Sequence, residues 1–234
     1  MQEIIALGGG GFSMTPDNLA LDRYVLAQCD AVRPKICFLG QASAESADYA
    51  LRFHRAFLRL GAEPSDLTLY QNTPQDVRAH LLAQDAIYVG GGNTLNMIAL
   101  WRAWSIDEIL HEALVQGVVL AGISAGAICW FEQGLSDSRP GGFSSVEALG
   151  FLPGSFSPHW DGEPGRRQRY HELIESGGIA QGMAADDDVA LHFRAGRLHR
   201  IVAARPGASA YRLSLERGAV HEERLDAELL PDQP

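Results

Sequence analysis

Short apolar runs alternate along this chain with longer stretches whose apolar residues recur at helical spacing. The runs EIIALGGGG (3–11), KICFLGQAS (35–43), AIYVGGGNT (86–94) and VVLAGIS (118–124) each begin apolar throughout and end in glycines or small polar residues. DLTLY (66–70) is read as a further strand. Between these runs LALDRYVLAQC (19–29), SADYALRFHRAFLRLGA (46–62), TPQDVRAHLLAQ (73–84) and LNMIALWRAWSIDEILHEALVQG (95–117) have helical periodicity. Gly61 stands where a C-terminal cap belongs, and Thr73 and Pro74 where a helix would start. AGAICWFEQG (125–134) is predicted as the helix that follows the run at 118–124. Strands without an alternating polar face are covered on both sides, so the pattern predicts βαβ units and a mostly parallel sheet in three layers, with helices on both faces.

The C-terminal third changes character. VALHFRAGRLHRIVAA (189–204) and SAYRLSLERGAVHEERL (209–225) read as short antiparallel strands, with turns at Ala195-Gly196 and Arg217-Gly218. They are expected to form an antiparallel edge to the same sheet. No linker or repeat interrupts the chain, and residues 1–234 are read as one domain.

Composition removes whole classes of function. The chain has 234 residues and a formal net charge of -10, which argues against nucleic acid or an anionic membrane as a partner. No apolar run reaches the roughly 18 residues that a membrane helix needs. The start, MQEIIALGGGGF, lacks the basic region of a secretory signal. Three cysteines, Cys29, Cys37 and Cys129, form no CxxC and leave one over in any pairing. The expectation is a cytoplasmic protein with free thiols. No His/Cys/Asp cluster has metal-ligand spacing, and no metal or organic cofactor is expected.

In an open parallel sheet, ligands bind beyond the carboxyl ends of the strands, and here those ends hold most of the glycines. The loop Gly8 to Gly11 lacks the third glycine of a dinucleotide fingerprint, since position 13 is Ser13. It reads instead as a place of close backbone approach. Gly122-Ile123-Ser124-Ala125-Gly126 is a GxSxG motif at a strand-to-helix junction, the setting of a nucleophile elbow. Ser124 is either that nucleophile or an ordinary helix cap. The Ala125 amide and the glycine amides of the 90–92 turn could bind an oxyanion. Asn93 and Thr94 either contact substrate or cap the next helix.

A serine nucleophile needs a base. Of eight histidines, His54, His80, His111 and His171 lie on predicted helices, and His192, His199 and His221 in the edge strands. His159, in SPHWDGEP, follows a strand-like run into a polar loop and is the candidate base. Its orienting carboxylate is either Asp137 in LSDSRP or Asp187 in ADDDV, where a solvated acidic turn is the competing reading. Only 35 residues separate Ser124 from His159, too few for an α/β-hydrolase.

Together VGGGNT, AGISAGA and SPHWD resemble the peptidase E family of serine peptidases, which includes aspartyl dipeptidases and the related cyanophycinases. The resemblance implies a class I glutamine-amidotransferase-like fold. It implies Ser124 as nucleophile, His159 as base, and Gly91, Gly92 and Ala125 as the oxyanion-hole region. The family's acidic residue corresponds to Asp187, the preferred assignment, with Asp137 kept as the other. GRRQRYHELI resembles the arginine-bearing segment that reads an acidic substrate residue, which implies Arg166 and Arg169 as carboxylate binders. The substrate expected is a small peptide, and the protein a monomer or homodimer. The readings kept beside this one are a non-catalytic small-ligand-binding relative and a different amide hydrolase on the same fold, such as one cleaving β-linked aspartyl peptides.

Overall fold

The architecture was described from a computed structural model, covering residues 2–231. The elements in chain order are β1 (Glu3–Leu7), α1 (Gly11–Met14), α2 (Ala20–Leu26), β2 (Lys35–Leu39), α3 (Ala47–Arg59), β3 (Glu63–Leu67), α4 (Val77–Leu82), β4 (Ala86–Val89), α5 (Thr94–Ala103), α6 (Ile106–Gln116), β5 (Val119–Ile123) and α7 (Ala125–Ile128). There follow β6 (Phe131–Ser136), β7 (Ser144–Glu147), β8 (Leu152–Ser157), α8 (Arg166–Glu175), β9 (Gly182–Ala185), β10 (Val189–Arg194), β11 (Arg197–Ala203), β12 (Ser209–Glu216), β13 (Ala219–Asp226) and β14 (Glu228–Leu229).

The eight-stranded sheet runs β14-β11-β10-β1-β5-β4-β2-β3. Its five strands from β1 to β3 are mutually parallel, and β10 joins β1 antiparallel. Alternate residues feed two cores. Ile5, Leu7, Phe38, Tyr88 and Ala121 pack with Phe12, Phe53 and Phe57 on one face. Ile4, Ala6, Leu39, Val89 and Leu120 pack with Trp101, Leu110 and Ala113 on the other. Burial on both faces explains why these strands have no polar alternation.

A second, six-stranded sheet, β13-β12-β9-β8-β6-β7, was not foreseen. The expected antiparallel edge divides: the β10–β11 hairpin extends the large sheet, and the β12–β13 hairpin extends the small one. Phe131, Leu152 and Phe156 bury the small sheet in the same core as one face of the large sheet. Its other face receives α8 through Leu135, Tyr170, Ile174 and Leu213.

Four local expectations are corrected. The predicted helix at 125–134 is a single turn, because Trp130 and Phe131 turn into the core and β6 begins. The helix expected over 95–117 breaks at Ser105, whose φ is 53°. The third strand is Glu63–Leu67 rather than 66–70: as an edge strand it stays half exposed and polar, and it tolerates Pro64. Helix α4 is capped by Asp76, which accepts the Ala79 amide at 2.8 Å, so Thr73 and Pro74 lie before it. Among the described residues no helix is long and apolar enough to cross a membrane.

Candidate active site

The end of β1 organises the site. Three consecutive carbonyls accept one amide each: Leu7 O from Ser124 N at 3.2 Å, Gly8 O from His159 N at 3.2 Å, and Gly9 O from Asp188 N at 3.2 Å. The segments held this way come from the end of β5, the end of β8 and the β9–β10 connection. The glycine loop is the place of close approach that its composition suggested, and what approaches it is the protein's own chain. His159 thus comes to the end of β1 from the second sheet, since β8 belongs to the six-stranded sheet and not to the one that carries Ser124.

Ser124 has φ 57° and ψ -114° and does not use its side chain to cap α7. A non-glycine residue is seldom held at positive φ, and the strain costs about 1–3 kcal/mol. The fold imposes it by tight packing. A Cβ on Gly122 would sit 2.1 Å from Gly126 O, and one on Gly126 would sit 2.2 Å from Val89 O. The elbow is thus wedged between its own first turn and β4. Ser124 is half-buried, and its hydroxyl has no partner among the described hydrogen bonds.

His159 is buried, with φ 51°. Its Nδ1 is 2.6 Å from Asp187 Oδ1. That contact leaves Nε2 as the nitrogen able to accept a proton. The carboxylate fits because Gly9 and Gly162 leave it room: a Cβ on Gly9 would lie 1.9 Å from Asp187 Oδ1, and one on Gly162 2.6 Å from Oδ2.

The other sequence-derived candidates separate clearly. Asp137 is exposed and does not bond to His159; the histidine's carboxylate partner is Asp187. The Gly91 amide donates to the Tyr49 hydroxyl at 3.3 Å. The Gly92 and Ala125 amides have no acceptor among the described residues and remain the available donors. Asn93 is the cap of α5: its side chain accepts the Asn96 amide at 2.9 Å and donates to Ser138 O at 3.0 Å. Thr94 is fully buried, with its hydroxyl 3.3 Å from that of Ser136. Thr94 ties α5 to the end of β6 and Asn93 ties it to the loop that follows, so the capping reading holds for Asn93 and both side chains are engaged within the protein.

Arg166 is also corrected. It is 3% exposed, bonds Glu163 through Nε and Nη2, donates to Leu135 O at 2.9 Å and lies over the Phe143 ring. A guanidinium engaged on all sides cannot also hold a substrate carboxylate. Arg169 stays exposed, with bonds to Phe143 O and Glu172.

The acidic turn is not a solvated run. Asp186 is buried and accepts the Ser209 amide at 2.9 Å, and burial pushes its carboxyl above the usual range. Asp188 accepts the Thr15 hydroxyl at 3.1 Å. Asp161 and Arg205, neither of them a candidate site residue from the sequence, complete the turn: Asp161 Oδ1 accepts the Asp187 amide at 2.9 Å, and Oδ2 accepts Arg205 Nη2 at 2.5 Å. The HWDG spacing that carries Asp161 was readable in the sequence, whereas nothing there marks Arg205.

Of the three free cysteines, Cys129 ends the α7 turn, where its thiol donates to Gly126 O at 3.1 Å, and burial pushes the thiols of Cys29 and Cys37 up to about 12. A cavity of about 490 Å³ lined by Glu3, Cys29, Asp85 and Arg194 opens at the amino ends of the strands, the opposite edge from Ser124.

The chain is similar to known peptidases. The chain is 50% identical over 230 residues to the uncharacterized peptidase YgaJ of Bacillus subtilis, covering 98% of this chain and all of that one. It is 26% identical to peptidase E of Streptomyces coelicolor over 62% of each chain. The fold superposes on the crystal structure of a peptidase from an acI-B1 Actinobacterium with a TM-score of 0.71, at 19% identity, over 97% of this chain and 95% of that one. The profile of peptidase family S51 matches residues 4–201, so this chain belongs to that family of peptidases.

Proposed function

We propose that the protein is a serine-type peptidase acting on short peptides through Ser124, His159 and Asp187. The observation that carries this is the row of carbonyls at Leu7, Gly8 and Gly9, which draws the segments of all three residues to one strand end. Ser124 Oγ attacks the peptide carbonyl as His159 Nε2 takes its proton. Asp187, on Nδ1, fixes the tautomer and stabilises the imidazolium. The Ala125 and Gly92 amides receive the oxyanion. His159 then protonates the leaving amine, and water repeats the cycle on the acyl-enzyme. No step calls for a metal or an organic cofactor.

A preference for an acidic residue would rest on Arg169, because Arg166 is committed to the fold. The test is a panel of Asp-Xaa, Xaa-Asp, β-linked aspartyl and longer peptides, with wild type and Ser124→Ala. Turnover with covalent fluorophosphonate labelling of Ser124, both lost in Ser124→Ala, is the expected result. Full activity in Ser124→Ala, or neither turnover nor labelling in wild type, would overturn the reading. Turnover of β-linked substrates alone would redirect it to a different amide hydrolase.

A further inference from the structure

We infer that Arg205 and Asp161 form a clamp that positions Asp187 against His159 and sets the charge around that pair. The inference rests on the triad reading above and adds two positioning residues to it. Arg205 lies beyond residues 4–201, the part matched by the family profile. It sits in the connection from β11 to β12, where the chain passes from the large sheet to the small one. Asp161 sits in the loop after His159, and Asp187 in the β9–β10 connection, which passes back. The clamp therefore ties two crossings between the sheets to the loop that carries His159.

Each bond acts on the orientation of Asp187. Asp161 Oδ1 accepts the Asp187 amide at 2.9 Å, Arg205 Nη2 donates to the Asp187 carbonyl at 3.2 Å, and the same Nη2 donates to Asp161 Oδ2 at 2.5 Å. The peptide units on either side of Asp187 are thus both held by one ion pair. Arg205 Nε also lies 3.5 Å from Asp188 Oδ2. Four carboxylates (Asp161, Asp186, Asp187 and Asp188) crowd this turn, and Arg205 is the cation placed among them. The side chains of Arg205 and Asp161 are 43% and 37% exposed. A pair that open contributes little to folding, so its effect is expected in catalysis.

The two members of the clamp carry opposite charges, and that gives the test. His159 must be neutral to act as base, so its titration sets the acid limb of kcat/KM. Arg205→Ala removes a positive charge near the imidazolium, and the limb should move up by about half a pH unit. Asp161→Asn removes a negative charge, and the limb should move down by a similar amount. Both variants should lose about tenfold in kcat with KM unchanged, the scale of losing an orienting contact behind a working group. Arg205→Lys, which keeps the charge, should return the limb to its wild-type position. The His159 titration is also followed by NMR of the imidazole in each full-length variant, which needs no substrate. Opposite shifts in the two variants support the clamp. An unmoved His159 titration in folded variants, shifts of the same sign, or a rise in KM alone would overturn it. Loss of the peptidase reading would show separately, as absent turnover and labelling in wild type, while the NMR titration still decides the clamp.

Discussion

Asp22 offers a quantitative test of the packing beneath the glycine loop. It is fully buried on α2, where Oδ2 accepts the Phe12 amide at 2.8 Å and Oδ1 has no partner. Burial pushes the carboxyl from 3.8 up to about 7, against the opposing pull of the backbone amides of Phe12 and Asp22. An acid whose pKa is raised in the folded state holds its proton longer there than in the unfolded chain. Stability is therefore fullest below about pH 4, falls as pH rises, and stops falling above about pH 7. At 1.36 kcal/mol per unit the whole loss is roughly 4 kcal/mol, of which about 2.5 kcal/mol falls between pH 5 and pH 8.5.

Asp22→Asn keeps an acceptor for the Phe12 amide and removes the titration. Its amide group leaves a donor without a partner, a constant cost of about 1–3 kcal/mol. Other titrating groups cancel when the variant is compared with wild type at the same pH. Urea unfolding followed by tryptophan fluorescence should show the variant gaining about 2.5 kcal/mol relative to wild type between pH 5 and pH 8.5. A difference that stays flat over that range would refute the assignment of a buried, late-ionising carboxyl.

Three further outcomes follow from the geometry. Gly9→Ala places a methyl group 1.9 Å from Asp187 Oδ1, so steady-state assays should show kcat reduced at least tenfold while circular dichroism stays native. Arg166→Ala should lower stability by about 2 kcal/mol, since Leu135 O loses its buried donor, yet leave the ratio of kcat/KM between acidic and neutral dipeptides unchanged; a collapse of that ratio would return Arg166 to the substrate site. Cys29 and Cys37, with thiols pushed up to about 12, should resist maleimide at pH 8 until denaturant is added, as mass spectrometry would show.

The parallel half of the fold was legible because its strands are covered on both faces and its site loops end in glycine. Ser124 and His159 stood out as candidates because a nucleophile and its base constrain residue type and order, whereas Asp187 and Asp137 were separated only by the contact of Asp187 with His159. The small sheet was hidden because its strands are half exposed and interleave with the large sheet along the chain, with β10 in one and β12 in the other. Arg166, Asn93 and Thr94 show a different limit. Each has the right functional group, but whether that group is free depends on the Glu163 carboxylate, the Asn96 amide and the distant Ser136 hydroxyl, and the sequence does not decide whether those contacts form. Asp22 did leave a trace. It lies between Leu19 and Leu26 on the apolar face of LALDRYVL, where an acid has no ordinary reason to stand.

The carbonyls at Leu7, Gly8 and Gly9 also explain why strain gathers where it does. Ser124, His159 and Asp188 all have positive φ, at 57°, 51° and 64°. Each donates its amide to one of those three carbonyls. A segment that meets the strand end in this way must turn sharply to bring its side chain back over the loop, and positive φ is the turn available. At about 1–3 kcal/mol each, the three turns together cost as much as a sizeable share of a domain's net stability. The two cores that bury both faces of β1 supply the offset. The glycines are required on the same grounds. At Gly9 a side chain would occupy the space of the Asp187 carboxylate, so the loop is bare where Asp187 and His159 close over it. Precision at this site comes from main-chain bonds to a buried strand. A substitution that perturbs β1 should therefore disturb all three residues at once, whereas one that perturbs the Arg205–Asp161 pair should act on His159 through the placement of Asp187 and the charge beside it.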